Sequence, residues 1–177
     1  MAGTTTRRLA AFLSVTLAVL IGLTGCSGNY QFVQDKRLHF LSPKNHSKVE
    51  RPVTVQWSIT DFTPIATPDG QRIKTEGLFA VFVDRSAIRP GQSLNKIIKK
   101  DAACLDKGSS CLDRLALADH DVYLTEKTVL TIDQLPRIAS SGSIENHTVT
   151  VILVDGAGYR IGESAWDLNF KVKKRTF

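Results

Sequence analysis

Apolar and polar residues alternate most cleanly over residues 52–60. Val53, Val55, Trp57 and Ile59 share one face, and Thr54, Gln56, Ser58 and Thr60 share the other. A period of two over this length predicts a strand with one wet face, as antiparallel sheets have. Residues 36–42 alternate more loosely, with Leu38 and Phe40 on one side. Residues 78–84 and 147–154 are nearly continuous runs of apolar and β-branched residues, which predicts two central strands covered on both faces. Shorter strand patterns stand at 122–125 and 128–132. A last strand returns over 159–172, with Trp166, Leu168, Phe170 and Val172 inward and Gly162 as a bulge. Between these runs lie turn clusters at 42–47, 62–77, 85–92 and 136–146, and a hairpin signal at Asp155-Gly156-Ala157-Gly158.

Residues 93–121 break this rhythm. Leu94, Ile97 and Ile98, then Cys104 and Leu105, fit one helical face behind Ser93 as an N-cap. Leu112, Leu115 and Leu117 fit a second helical turn. No βαβ alternation occurs. The expected fold is therefore all-β: an antiparallel two-sheet sandwich of about seven strands over 37–177, with a partly helical insertion at about 93–121 packed against it.

Ser42-Pro43, Val49, Pro52-Val53, Val55 and Trp57 resemble the first two strands of bacterial immunoglobulin-like or fibronectin type III-like domains. In the latter a Trp near the second strand plugs the core. The resemblance spans about a dozen positions and implies a sandwich but no activity. The Cys-Trp-Cys core of true immunoglobulin domains is missing.

The N-terminus carries a different signal. Arg7 and Arg8 precede an apolar run over 9–23, too short for a resident membrane helix of roughly 20 residues. Leu23-Thr24-Gly25-Cys26 closes it and resembles the lipobox of bacterial lipoproteins. That resemblance implies cleavage before Cys26, a diacylglycerol on its thiol, and residues 26–36 as a tether. The domain would then sit lipid-anchored on the extracytoplasmic face of the cell membrane, held by more than one acyl chain.

This address changes what composition means. Removing 25 of the 177 residues leaves 152, enough for one domain with a real core. The removed part takes two of 23 cations and none of 17 acids, leaving 21 against 17 and a net charge of +4. No basic stripe with interleaved aromatics stands out, and the compartment also argues against nucleic acid. With Cys26 assigned to lipid, Cys104 and Cys111 remain, and outside the cytoplasm such a pair is expected to form a disulfide. Cys-x6-Cys lacks the close pairing of zinc sites, so no metal is expected there.

Candidate chemistry is thin. Asp113, Asp119, His120 and Asp121 make an acidic group that could take a ligand or ion, but it lacks the Asp/Asn and Gly frame of a calcium loop. Tyr123 and Tyr159 could line a small-ligand pocket. Asp84 and Asp155 each end a central strand, and antiparallel neighbours would put them at opposite ends of the sheet, where they serve turns. Glu126 and Glu145 read as surface charge, and the four histidines have no metal spacing. No catalytic motif is present, and no cofactor is implied. The expectation is a non-catalytic binding or scaffolding module of the cell envelope, whose partner is an envelope protein or wall glycan. The alternative is a lipoprotein capturing a small ligand or ion for a transporter or sensor.

Overall fold

A computed structural model describes residues 36–107, 111–138 and 142–174. The signal segment, Cys26 and all of the tether but Lys36 lie outside these residues. The described chain has nine strands: β1 (Leu38–Ser42), β2 (Ser47–Val49), β3 (Val53–Ile59), β4 (Thr63–Pro64), β5 (Glu76–Val83), β6 (Val122–Thr125), β7 (Val129–Ile132), β8 (Ile144–Val154) and β9 (Trp166–Lys173). A small sheet has the order β1-β3-β7. A large sheet has the order β2-β9-β8-β5-β4, with β6 also paired to β5.

The two central strands are β5 and β8, as their continuous apolar runs require. Their antiparallel register sets Leu78 opposite Val154 and Val83 opposite Val149. Odd-numbered residues of both strands (Phe79, Val81, Val83; Val149, Val151, Leu153) face the small sheet and pack on Val53, Val55 and Trp57. Trp57 is 1% exposed and meets the edge of Phe79, with ring centroids 5.3 Å apart. That geometry is favoured by the aromatic quadrupole.

The even-numbered residues Leu78, Ala80, Phe82, Ile152 and Val154 face the other way. They form a second buried cluster with Leu94, Ile98, Cys104, Cys111 and Leu117. The described residues thus form three layers: small sheet, large sheet, and the segment 93–121.

Three expectations need adjustment. Two edge pairings are parallel, β2 with β9 and β4 with β5. Both short strands lie on connections that cross between the sheets, and a crossover leaves strand direction free where a hairpin would force it antiparallel. Among its described residues the segment 93–121 holds a four-residue helix α1 (Asn95–Ile98), a 3-10 turn (Ala102–Cys104) and a five-residue helix α2 (Arg114–Ala118). Ser93 is not the N-cap; Leu94 is, although the Ser93 hydroxyl accepts from the Asn95 amide at 3.2 Å. Leu105 and Leu115 do not share the buried face, being 65% and 80% exposed. The helices are too short for one helical period to run through both positions. Finally, β8 begins at Ile144, inside the stretch expected as loop.

Cys104 and Cys111 are joined, with Cα atoms 5.5 Å apart. Both are buried in the second cluster, and the Asn95 side-chain amide donates to the Cys111 carbonyl at 3.1 Å. The bridge therefore ties the α1 end of the third layer to its α2 end. A Cys104→Ala/Cys111→Ala chain is expected to lose roughly 2–3 kcal/mol, from the chain entropy of the short loop. Hydrogen exchange checks where: amides of residues 94–98 should open well before those of β5 and β8. Uniform loss across all three layers would contradict this placement.

Candidate functional site

The acidic residues of 113–121 do not converge. Asp113 caps α2, accepting from the Leu115 and Ala116 amides at 3.0 Å each. Asp119 is the C-cap residue of that helix. Asp121 has φ 57°, and its carbonyl accepts from the Val83 amide. His120 Nε2 lies 2.9 Å from Asp101. Among the described residues no group of three potential metal ligands forms. The tyrosines also separate: Tyr123 packs on the inter-sheet core, and the ring of Tyr159 is covered by the Arg72 guanidinium at 4.0 Å.

Asp84 and Asp155 lie at opposite ends of the β5–β8 pair, as the register dictates. Asp155 serves its turn, accepting from the Ala157 and Tyr159 amides. Asp84 does more. It has φ 53°, accepts from the Thr148 amide at 2.8 Å through Oδ1, and meets His147 Nδ1 at 2.7 Å through Oδ2.

That contact is one end of a buried polar line. His147 Nε2 faces Glu145 at 3.6 Å, beyond hydrogen-bond length, and Glu145 meets Arg51 at 2.7 Å. Arg51 also donates to the Lys173 carbonyl at 2.8 Å. Glu145 reads in the sequence as surface charge, yet it is 4% exposed. The early start of β8 brings it onto the inward parity of Val149 and Val151, and the strand carries it between the sheets. The Arg51 hydrogen bond holds its carboxyl below the usual carboxylate range, against the opposing effect of burial. The His147 side chain has no exposure and stacks on Phe170. It can reach no substrate, so this line is a clamp. It joins the β2–β3 connection to β8 and to the end of β5.

Beyond the clamp, residues 84–99, called the ridge below, contribute to the walls of three clefts. One cleft, of about 730 Å3, runs along the outer face of β8 and β9. Its charged lining is mixed: Asp84, Arg85, Arg160 and Asp167. Arg160 Nη1 and Nη2 donate to the carbonyls of Ile88 and Glu163, at 2.6 Å each. Burial lowers its pKa, while Glu163 and Asp167 oppose that shift. Thr150 and Asp167 are themselves paired at 2.6 Å.

Two further clefts, of about 400 and 290 Å3, share Gln92 and Lys96 in their linings. The first is lined by Arg85, Arg89, Lys96 and His120, and the second by Lys96, Lys99 and Tyr159. Among the described residues neither has an acidic lining residue. Residues 85–100 explain why: they hold Arg85, Arg89, Lys96, Lys99 and Lys100, all exposed, and no Asp or Glu. This charge window is the signal that a search for motifs passes over. The segment carries +5, and Lys171, Lys173, Lys174 and Arg175 make a second acid-free basic run at 171–175.

No protein-family model, curated protein or solved structure significantly matches the chain.

Proposed function

We propose that this chain is a lipid-anchored binding module of the cell envelope, built on an immunoglobulin-like sandwich, with the ridge 84–99 as its binding surface. The observation that carries the reading is the pair of cationic clefts along that ridge, which share Gln92 and Lys96 and have no acidic lining residue among the described residues. Arg85 donates to the His120 carbonyl, whereas Arg89, Lys96 and Lys99 have no ion pair among the described residues and keep their charge available to something outside the chain. The clamp behind the ridge supports the same reading, because it fixes Asp84 where the ridge begins.

The immunoglobulin-like assignment is supported by strand order. With β1, β3 and β7 in the places of A, B and E, the opposite sheet β9-β8-β5-β6 follows the order G, F, C, C′ of variable-type domains. The helical third layer then interrupts the C–C′ connection. Anchoring rests on Leu23-Thr24-Gly25-Cys26. The alternative of small-ligand capture loses its tyrosine pocket, since Tyr123 and Tyr159 line different parts of the molecule.

Growth of producing bacteria with an alkyne fatty acid tests the anchor. The full chain is expected to take up label and to fractionate with membranes, and Cys26→Ala is expected to take up none. Equal labelling of the two chains would defeat the lipoprotein reading. A photocrosslinker placed at position 96 tests the surface. It should capture an envelope component that the same crosslinker at position 127, on an exposed residue away from the ridge, does not.

A further inference from the structure

The geometry points to a polyanionic chain, such as a phosphate-bearing wall glycan, as the ligand of the two clefts between Arg85 and Lys99 that share Lys96. This rests on the reading of the ridge as the binding surface and names what that surface takes.

Three observations carry it. First, Arg89, Lys96 and Lys99 make no ion pair or side-chain hydrogen bond among the described residues, so an incoming anion displaces only water and counterions. An acid of the third layer, Asp101, is held by His120 at 2.9 Å. Second, the cations line two clefts that share Lys96. A single small anion would occupy one cleft and leave the other's cations unmatched. A chain with charge repeated along its length meets both. Third, the lining is mixed in kind. Guanidinium groups offer a planar fork that matches phosphate or carboxylate oxygens, and ammonium groups add point charges around it. Gln92 and Ser86 supply neutral hydrogen-bonding groups suited to the hydroxyls between anionic units.

The large cleft is mixed: Asp84 and Asp167 stand in its wall beside Arg85 and Arg160, so a polyanion running there would meet both signs.

The test uses the full chain in a nonionic detergent, with linear polyphosphate as probe and uncharged dextran as control. Titration calorimetry should show binding to polyphosphate and none to dextran. With about four cations engaged, the log–log salt dependence should have a slope near −3, by analogy with single-stranded polyanions. Arg89→Glu/Lys96→Glu/Lys99→Glu should weaken binding about tenfold or more. Lys48→Glu/Lys74→Glu/Lys127→Glu makes the same change in net charge at exposed sites off the ridge and should stay within about twofold. All six positions are exposed, so thermal unfolding of both variants should match the parent.

Equal weakening in the two variants would overturn the inference, since the attraction would then belong to the whole molecule. So would binding to phosphatidylglycerol vesicles with none to polyphosphate, which would make the ridge a lipid-headgroup surface. If polyphosphate fails while the crosslinker at position 96 still captures an envelope component, the binding surface stands and its polyanionic ligand falls.

Discussion

Arg51→Met is expected to destabilise the domain by about 1–3 kcal/mol at neutral pH, more than an ordinary surface change. The lost hydrogen bond is the smaller part. Glu145 is buried between the sheets, and Arg51 is its only side-chain partner at hydrogen-bond distance among the described residues. Without the guanidinium, a carboxylate is left in low dielectric facing His147 Nε2 at 3.6 Å. The pH dependence separates this from a packing defect. In the parent chain the folded-state pKa of Glu145 is lowered. Its contribution is therefore full above the unfolded-state value and is lost as pH falls through the lower folded one. In Arg51→Met the chief lowering influence is gone, and the largest single influence left is burial, which raises the pKa. The penalty in the variant is then relieved as the carboxyl takes up a proton. Urea unfolding at pH 7 and pH 4 should show the gap between the two chains narrowing on acidification. A gap that stays constant would mean that Arg51 acts through its aliphatic stem. Arg51→Met/Glu145→Leu should recover much of the loss, because removing both partners leaves no buried charge without its match.

How far the fold is legible in the sequence depends on the range of the interaction. Val53 to Ile59, Leu78 to Val83 and His147 to Val154 are legible because burial on one face or two imposes period two or no period, and that is a property of neighbours in sequence. The Cys104–Cys111 bridge is legible because few thiols remain and the separation is short. The parallel edge pairs are not, since direction at an edge depends on which sheet a connection reaches. Glu145 is not, since its parity depends on where β8 starts, and the Ser- and Gly-rich residues before it mask that start. The clamp joins residues up to 122 positions apart and leaves no local pattern. The cationic clefts are half legible. The acid-free window 85–100 stands in the sequence, but its facing toward Gln92 and Tyr159 comes from the docking of α1 on the large sheet. The acidic residues at 113–121 read as a cluster, yet Asp113 is a helix cap, a role its position before Arg114 signals equally well.

Gly77→Ala is expected to prevent folding or to cost more than about 4 kcal/mol, the range that marks a specific structural conflict. Gly77 lies on β5 between two backbones. Its neighbour on one side is β4, whose following residue Ile65 donates its amide to the Gly77 carbonyl at 2.8 Å. On the other side an added Cβ would stand 1.9 Å from the Val154 carbonyl oxygen and 3.0 Å from the Asp155 Cα. These are main-chain atoms at the end of β8, so no side chain can swing aside. Relief requires β5 and β8 to part, and those two strands carry both buried clusters. Gly91→Ala provides the contrast. Gly91 also has positive φ, at +74°, but an added Cβ there meets nothing within 4 Å. Its cost should be the backbone strain alone, roughly 1–2 kcal/mol. Soluble yield and urea midpoints of the two variants decide the matter, and equal losses would show that β5 and β8 do not approach this closely.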